Sequence, residues 1–201
     1  MPEADIASDR PDGLRERKRR ETFDRIAKTG LRLFIENGFE ATTLDAIAAA
    51  AGISRRTFFY YFKSKEEVLL AQEGSGFSQA LRTAMLEQSP DQAPIDAARE
   101  CLLTLASRYE TKESVIVDRL LRSTEALRAR KEALFVDMER TLEGAMGEMW
   151  TAPSQRETHR VVAMMAIGTL RLALDDWRRE DGRHPLAYYL RRTFALLQRQ
   201  S

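Results

Sequence analysis

Five residues in or at the end of the stretch AGISRRTFFYYFKSK, positions 51–65, have the types and spacing to meet a polyanion: Arg55, Arg56, Thr57, Tyr61 and Lys65. A guanidinium near a helix start can reach guanine edges or phosphate oxygens. A threonine can meet a thymine methyl or a phosphate, and a tyrosine hydroxyl or lysine ammonium suits phosphate. The rings among them divide by helical spacing. On a helix over 55–62, Phe58 and Phe62 stand four apart and pack inward, which turns Arg55, Arg56, Thr57 and Tyr61 outward. The competing reading is a core helix with solvated charged flanks, and the residues before Arg55 weigh against it.

Those residues supply the elements that hold such a helix out. Thr42 with Asp45 three positions on reads as a capping-box-like start, and Leu44, Ile47, Ala48 and Ala51 form the apolar stripe of a short helix. Gly52 can take a left-handed conformation, Ile53 can pack inward, and Ser54 can cap a helix beginning at Arg55. Upstream, Phe23, Ile26, Ala27, Gly30, Leu33 and Phe34 recur at three- and four-residue spacing and predict a helix over 14–36, ended by Asn37-Gly38. Two short helices joined by a tight glycine turn form a helix-turn-helix unit, whose second helix enters the major groove of DNA.

With 201 residues the chain holds one sizeable domain or two small ones. An apolar fraction of 43%, a charged fraction of 31% and few Gly or Pro point to amphipathic helices. The formal net charge is only +1, so attraction to a polyanion must come from a local patch. Positions 15–32 provide one, with eight basic residues against three acids. The run from Arg15 to Arg20 reads either as a solvated helix face or as an arm laid along DNA.

Other functions find little support. GxSxG, HExxH and Gly-rich phosphate-loop motifs are absent, so an enzyme is not expected and no cofactor is implied. His159 and His184 stand far apart and no metal site is expected. A single cysteine, Cys101, excludes an internal disulfide and favours the reducing cytoplasm; sharing an apolar stripe with Leu105, it reads as a buried, inert thiol. The first residues, MPEADIASDRPDG, carry no apolar signal region, and no run of about eighteen apolar residues could span a bilayer.

The expected fold is therefore all-α: a disordered tail over 1–13, a three-helix DNA-binding domain over 14–65, and a larger helical ligand-binding and dimerisation domain over 66–201. Within the last, amphipathic segments run at 95–110, 112–128, 130–150, 155–180 and 186–199, with GlySerGly at 74–76 and SPDQAP at 89–94 as joints. Leu102, Leu105, Tyr109, Leu120, Met138, Met164 and Trp177 are the candidates to line a ligand cavity. Val161, Gly168, Thr169, Leu172 and Asp176, followed by Tyr189, Thr193, Leu196 and Leu197, offer small and apolar positions for a second copy.

The segment LFIENGFEATTLDAIAAAAGISRRTFFYYFKSKEEVL resembles the TetR/AcrR family of bacterial transcriptional regulators. The likeness rests on a Gly-aromatic pair before a Thr, an Ile-Ala, an Ala-Gly-hydrophobic-Ser turn, an aromatic cluster and a final Lys-x-x-hydrophobic. It implies that Thr43 and Lys65 hold phosphates, that Arg55, Arg56 and Thr57 face bases, and that Tyr61 touches the DNA backbone. Arg56 stands where many members carry Gly, and Phe59 where they usually carry a Tyr that reaches phosphate. SRRTFFYYF, together with DDWRREDGRHPLAYYLRRTFALL, is similar to an actinobacterial-looking, mycofactocin-regulator-like branch that includes regulators answering to acyl-coenzyme A. The resemblance implies a repressor that binds a palindromic double-stranded DNA operator as a homodimer and is released by a small apolar or acyl-CoA-like effector. The alternative is a helical architectural or interaction protein that meets DNA or protein without sequence preference. A specific regulator keeps one palindrome in excess competitor DNA, and a nonspecific binder does not.

Overall fold

The computed structural model describes residues 11–71 and 74–199, apart from the side chains at 11, 12, 74–76, 108, 109, 112, 113 and 153. Among the described residues all regular structure is helical, as the composition demands. The chain divides into two compact units, Met1–Gln72 and Glu73–Ser201.

The first unit holds α1 (Pro11–Asn37), α2 (Leu44–Ala50), α3 (Arg55–Tyr61) and α4 (Lys65–Ala71). Its core is Ile26, Phe34, Ile47, Phe58, Val68 and Leu69, all fully buried, with Phe62 stacked on Phe23 at 4.6 Å between ring centres. Close approach of α4 to α1 depends on Gly30, because a Cβ there would run into Val68 Cγ1. This contact places α4 in the first unit, beyond the 65/66 boundary drawn from the sequence. Helix α1 starts at Pro11, inside the stretch expected to be tail; proline's fixed φ and missing N–H suit a first helical position. Residues 1–10 of that tail lie outside the described residues. Arg15 to Arg20 continue α1 as an exposed helical face, with Arg17 paired to Glu21 at 3.5 Å and Arg19 to Glu16 at 3.6 Å.

The second unit holds α5 (Gly74–Leu86), α6 (Pro94–Tyr109), α7 (Lys112–Leu121), α8 (Glu125–Met149), a 3-10 turn (Pro153–Gln155), α9 (Arg156–Arg179) and α10 (Leu186–Gln198). GlySerGly opens α5 rather than forming a joint; poor helix formers cost least in a first turn, whose N–H groups have no intrahelical partner. The break between α7 and α8 falls at 122–124, not near 129, because the Thr124 hydroxyl accepts from the Leu127 N–H at 3.2 Å and starts α8 there. Leu81, Met85, Leu102, Leu105, Leu142, Ile167 and Tyr189 fill the core from five helices.

Two buried polar groups are unusual. Asp118 on α7 accepts from Lys131 of α8, from Arg178 of α9 at 2.6 and 3.0 Å, and from Arg122 at 3.1 Å. Burial pushes its carboxyl upward, but the Arg178 hydrogen bonds and the Lys131 charge outweigh that and hold it at about 2. Cys101 is fully buried, its Sγ 3.6 Å from the Leu81 carbonyl oxygen; burial, with Glu87 adding to it, pushes the thiol up to about 12.

Candidate nucleic-acid interface

The segment from Thr43 to Tyr61 is a pair of capped helices around one left-handed residue. Thr43, rather than Thr42, caps α2: its hydroxyl accepts from the Ala46 N–H at 3.1 Å. Thr42 is buried instead, and its hydroxyl reaches the carbonyl oxygens of Gly38 at 2.8 Å and Leu33 at 3.2 Å. After α2 the Gly52 N–H donates to Ala49 and the Ile53 N–H to Ala48, at 3.1 and 3.0 Å, a Schellman closure that needs Gly52 at φ +68°. Ser54 then caps α3, accepting from the Thr57 N–H at 3.1 Å. Each stop and start is local, which is why the sequence reveals the turn.

On α3 the apolar spacing divides the rings as expected. Phe58 and Phe62 are buried, whereas Arg55 and Arg56 stand exposed. Thr57 is half-buried and its hydroxyl is hydrogen-bonded to that of Ser54 at 2.8 Å. Tyr61 is also half-buried, edge-on to Tyr60 at 5.1 Å between ring centres. Tyr60, overlooked in the sequence, is 72% exposed. The signal was available: Tyr60 is four past Arg56 and about 200° around the helix from the buried Phe58, hence on the outermost face. Phe59 is 45% exposed, with the Arg55 guanidinium 5.7 Å from its ring centre.

Thr43 is exposed with its hydroxyl in the α2 cap, and Lys65 is largely withdrawn. The Lys65 ammonium donates to the carbonyl oxygens of Phe39, Glu40 and Thr42 at 2.8, 3.3 and 3.4 Å, so it ties the α1–α2 loop to the start of α4. Asp45, which the sequence suggested as a capping group, instead accepts from Arg55 at 3.0 Å.

The cavity candidates in the second unit are not gathered in one place. Leu102 and Leu105 are core, and Met138 and Trp177 pack against that core half-buried. The Trp177 indole N–H is already bonded to Glu110 at 3.1 Å. Leu120 on α7 is half-buried outside this core cluster, and the Tyr109 side chain lies outside the described residues. Met164 is a correction: it is 51% exposed, because the buried stripe of α9 runs through Ala163, Ala166, Ile167 and Leu170 and turns Met164 to solvent. A separate cleft of about 570 Å³ opens between α6 and α10, with Arg99, Glu100, Thr104 and Arg191 in its walls. Of the residues expected to face a second copy, Thr169, Tyr189 and Thr193 are buried within the protomer, with the Tyr189 hydroxyl donating to Glu180 at 2.9 Å. Val161 and Leu172 remain exposed. No described helix is long and apolar enough to cross a membrane.

A family model for bacterial regulatory proteins of the tetR family matches residues 26–71, which run from mid-α1 to the end of α4. The chain is 41% identical over 93 residues to the HTH-type transcriptional regulator TcmR of Streptomyces glaucescens, a match covering 45% of this chain and 41% of TcmR. It thus spans less than half the length of that relative. Among solved structures, the transcriptional regulator FadR from Bacillus subtilis in complex with stearoyl-CoA aligns over 87% of this chain and 97% of its own, at 20% identity and a TM-score of 0.60. FadR of Thermus thermophilus, a TetR family transcriptional repressor in complex with lauroyl-CoA, aligns over 88% and 93%, at 26% identity and a TM-score of 0.55. The likeness in fold thus extends through both units, while the sequence likeness concentrates on the capped helix pair and its supports. Residues 26–71 are thus similar to the tetR family of bacterial regulatory proteins, and the chain as a whole is similar in fold to the two FadR regulators.

Proposed function

We propose that this protein is a ligand-responsive transcriptional repressor that acts in the cytoplasm, binds a palindromic operator in double-stranded DNA as a homodimer, and is released by a small apolar or acyl-CoA-like effector. The observation that carries the reading is α3, a short helix capped at its start by Ser54, anchored by buried Phe58 and Phe62, and presenting Arg55, Arg56 and Tyr60 to solvent. Such a helix fits the major groove, with its arginines at the end that meets base edges. One reader helix sees few base pairs, so two copies about 34 Å apart are needed for a specific site.

Self-association is supported by α9, which leaves Val161, Met164 and Leu172 more than half exposed at helical spacing, with open space beside Gly168. The effector reading is supported by the two FadR structures, which are complexes with stearoyl-CoA and lauroyl-CoA. In this chain an apolar effector would enter beside Met138 and Trp177, the half-buried members packed on the core of the second unit. Release follows only if the effector prefers the conformation in which the two readers are wrongly spaced. A tenfold loss of operator affinity requires about 1.4 kcal/mol of such preference.

The test is selection of duplexes from a random-core DNA pool by the full-length protein, followed by competition with scrambled DNA. Retention of one palindrome in excess competitor, and its loss on adding stearoyl-CoA, is the expected result. Equal binding to all sequences would overturn the reading of α3. A palindrome held unchanged at saturating stearoyl-CoA would remove the acyl-CoA reading alone.

A further inference from the structure

We infer that Asp45 is a specificity-determining residue: with Phe59 it holds the Arg55 side chain as a charge-neutralised donor fork that reads a guanine and passes over phosphates. The inference rests on the proposed reading of α3 as a DNA reader and assigns the selectivity within it.

Arg55 and Asp45 lie ten positions apart, on α3 and α2, and the turn between the helices brings them together. Arg55 Nη1 donates to Asp45 Oδ2 at 3.0 Å, although both side chains are nearly two-thirds exposed. On its other side the guanidinium stands 5.7 Å from the Phe59 ring centre. A carboxylate and an aromatic face therefore fix the plane of the guanidinium. Its Nε and Nη2 have no partner among the described residues. Guanine offers O6 and N7 as adjacent acceptors, and two parallel N–H groups match them.

The neighbouring arginine is built differently. Arg56 is exposed and has no ion-pair partner among the described residues. A free guanidinium at a DNA surface is drawn to the nearest phosphate, which yields affinity without sequence information. Neutralised by Asp45, Arg55 keeps its donors but loses most of that pull, and the Asp45 carboxylate itself repels phosphate. Two consecutive arginines thus divide the work, Arg56 for phosphate and Arg55 for a base. Asp45 is a positioning residue that acts through Arg55.

The experiment uses full-length wild type, Asp45→Asn, Asp45→Glu, Arg55→Ala and the Asp45→Asn/Arg55→Ala double variant. Each is titrated with the palindrome selected by the wild type, with single-base-pair variants of it, and with a scrambled duplex, across a salt series. Asp45→Asn should bind scrambled DNA more tightly and steepen the salt slope by about one phosphate contact. It should lose about tenfold in discrimination at one base pair per half-site, within the range of a bidentate contact. Arg55→Ala should relax that same base pair, the double variant should lose no more than Arg55→Ala alone, and Asp45→Glu, which keeps the carboxylate, should retain most of the wild-type selectivity. A merely structural role in starting α2 would instead shift the melting temperature and weaken every duplex alike, and that outcome overturns the inference. So does wild-type discrimination in Asp45→Asn. If the wild type selects no palindrome at all, the reading of α3 falls and this inference with it, whereas the other two negative outcomes leave that reading intact.

Discussion

The Lys65 ammonium stands 4.4 Å from the centre of the Phe39 ring and 2.8 Å from the Phe39 carbonyl oxygen. One lysine thus closes the α1–α2 loop from two sides, through a cation–π contact and through donors that satisfy three carbonyl oxygens near the C-terminal end of α1.

Lys65→Met keeps the aliphatic stem and removes those donors. It should destabilise the first unit by about 1–3 kcal/mol, the cost of leaving the part-buried Phe39 and Thr42 carbonyls unpaired. Urea titration followed by circular dichroism reads this directly. Unchanged stability with a shallower salt slope for DNA binding would show that Lys65 serves phosphate and not the loop.

Gly30→Ala should also loosen the first unit, because its methyl would meet Val68 Cγ1 in a filled core. Overpacking of this kind costs about 1–3 kcal/mol. Combining it with Val68→Ala should cost less than the sum of the two single losses, since the second substitution makes room for the first. Strict additivity in denaturant midpoints would place the strain elsewhere.

Asp118 makes the second unit sensitive to acid. Its carboxyl is held at about 2, below the ordinary 3.8, so its stabilisation is fully present above pH 3.8 and is lost as pH falls through about 2. Asp118→Asn should cost about 3–5 kcal/mol at neutral pH by leaving Lys131 without its counter-charge and Arg178 with Asp175 alone. The variant should also show a flatter dependence of stability on pH between 4 and 2 than the wild type. Parallel pH profiles for the two proteins would contradict this account.

Cys101, buried and with its thiol pushed up to about 12, should be inert in the folded protein. Labelling by a thiol reagent at pH 8 should proceed only as fast as the second unit opens, and it should accelerate on adding urea. Rapid stoichiometric labelling of the native protein would show that the α6 face around Cys101 opens readily.

Leu172 on α9 is 62% exposed and lies on the same helix as exposed Val161 and Met164. If that face meets a second copy, Leu172→Glu should convert a dimer to a monomer in sedimentation velocity without lowering the melting temperature of the separated chain. A dimer that survives the change would move the contact off this face.

Local chemistry was legible in the sequence where it is closed by neighbours within a few residues. Gly52 and Ser54 place the turn because a left-handed φ and a side-chain cap depend only on adjacent backbone, and Phe58 and Phe62 bury because four residues return to one helix face. The same logic, carried one residue further, would have found Tyr60. It failed at Thr42 and Thr43: both can cap, and only the fold shows Thr42 committed inward to Leu33 and Gly38. It failed again at Met164, since methionine fits a cavity wall and an exposed helix face equally well, and the register of α9 against its core chooses between them.

By itself, the sequence determined the all-α class, the capped pair of helices around Gly52, and the set of cationic and aromatic side chains that stand on α3, because periodicity and capping act over one turn of backbone. Only the tertiary structure decided that Lys65 serves a loop, that Arg55 is paired with Asp45, and that Asp118 on α7 gathers cations from α8 and α9. These are contacts between side chains far apart in the chain or across a turn. Their partners are selected by how whole helices pack, and no local pattern of residues carries that information.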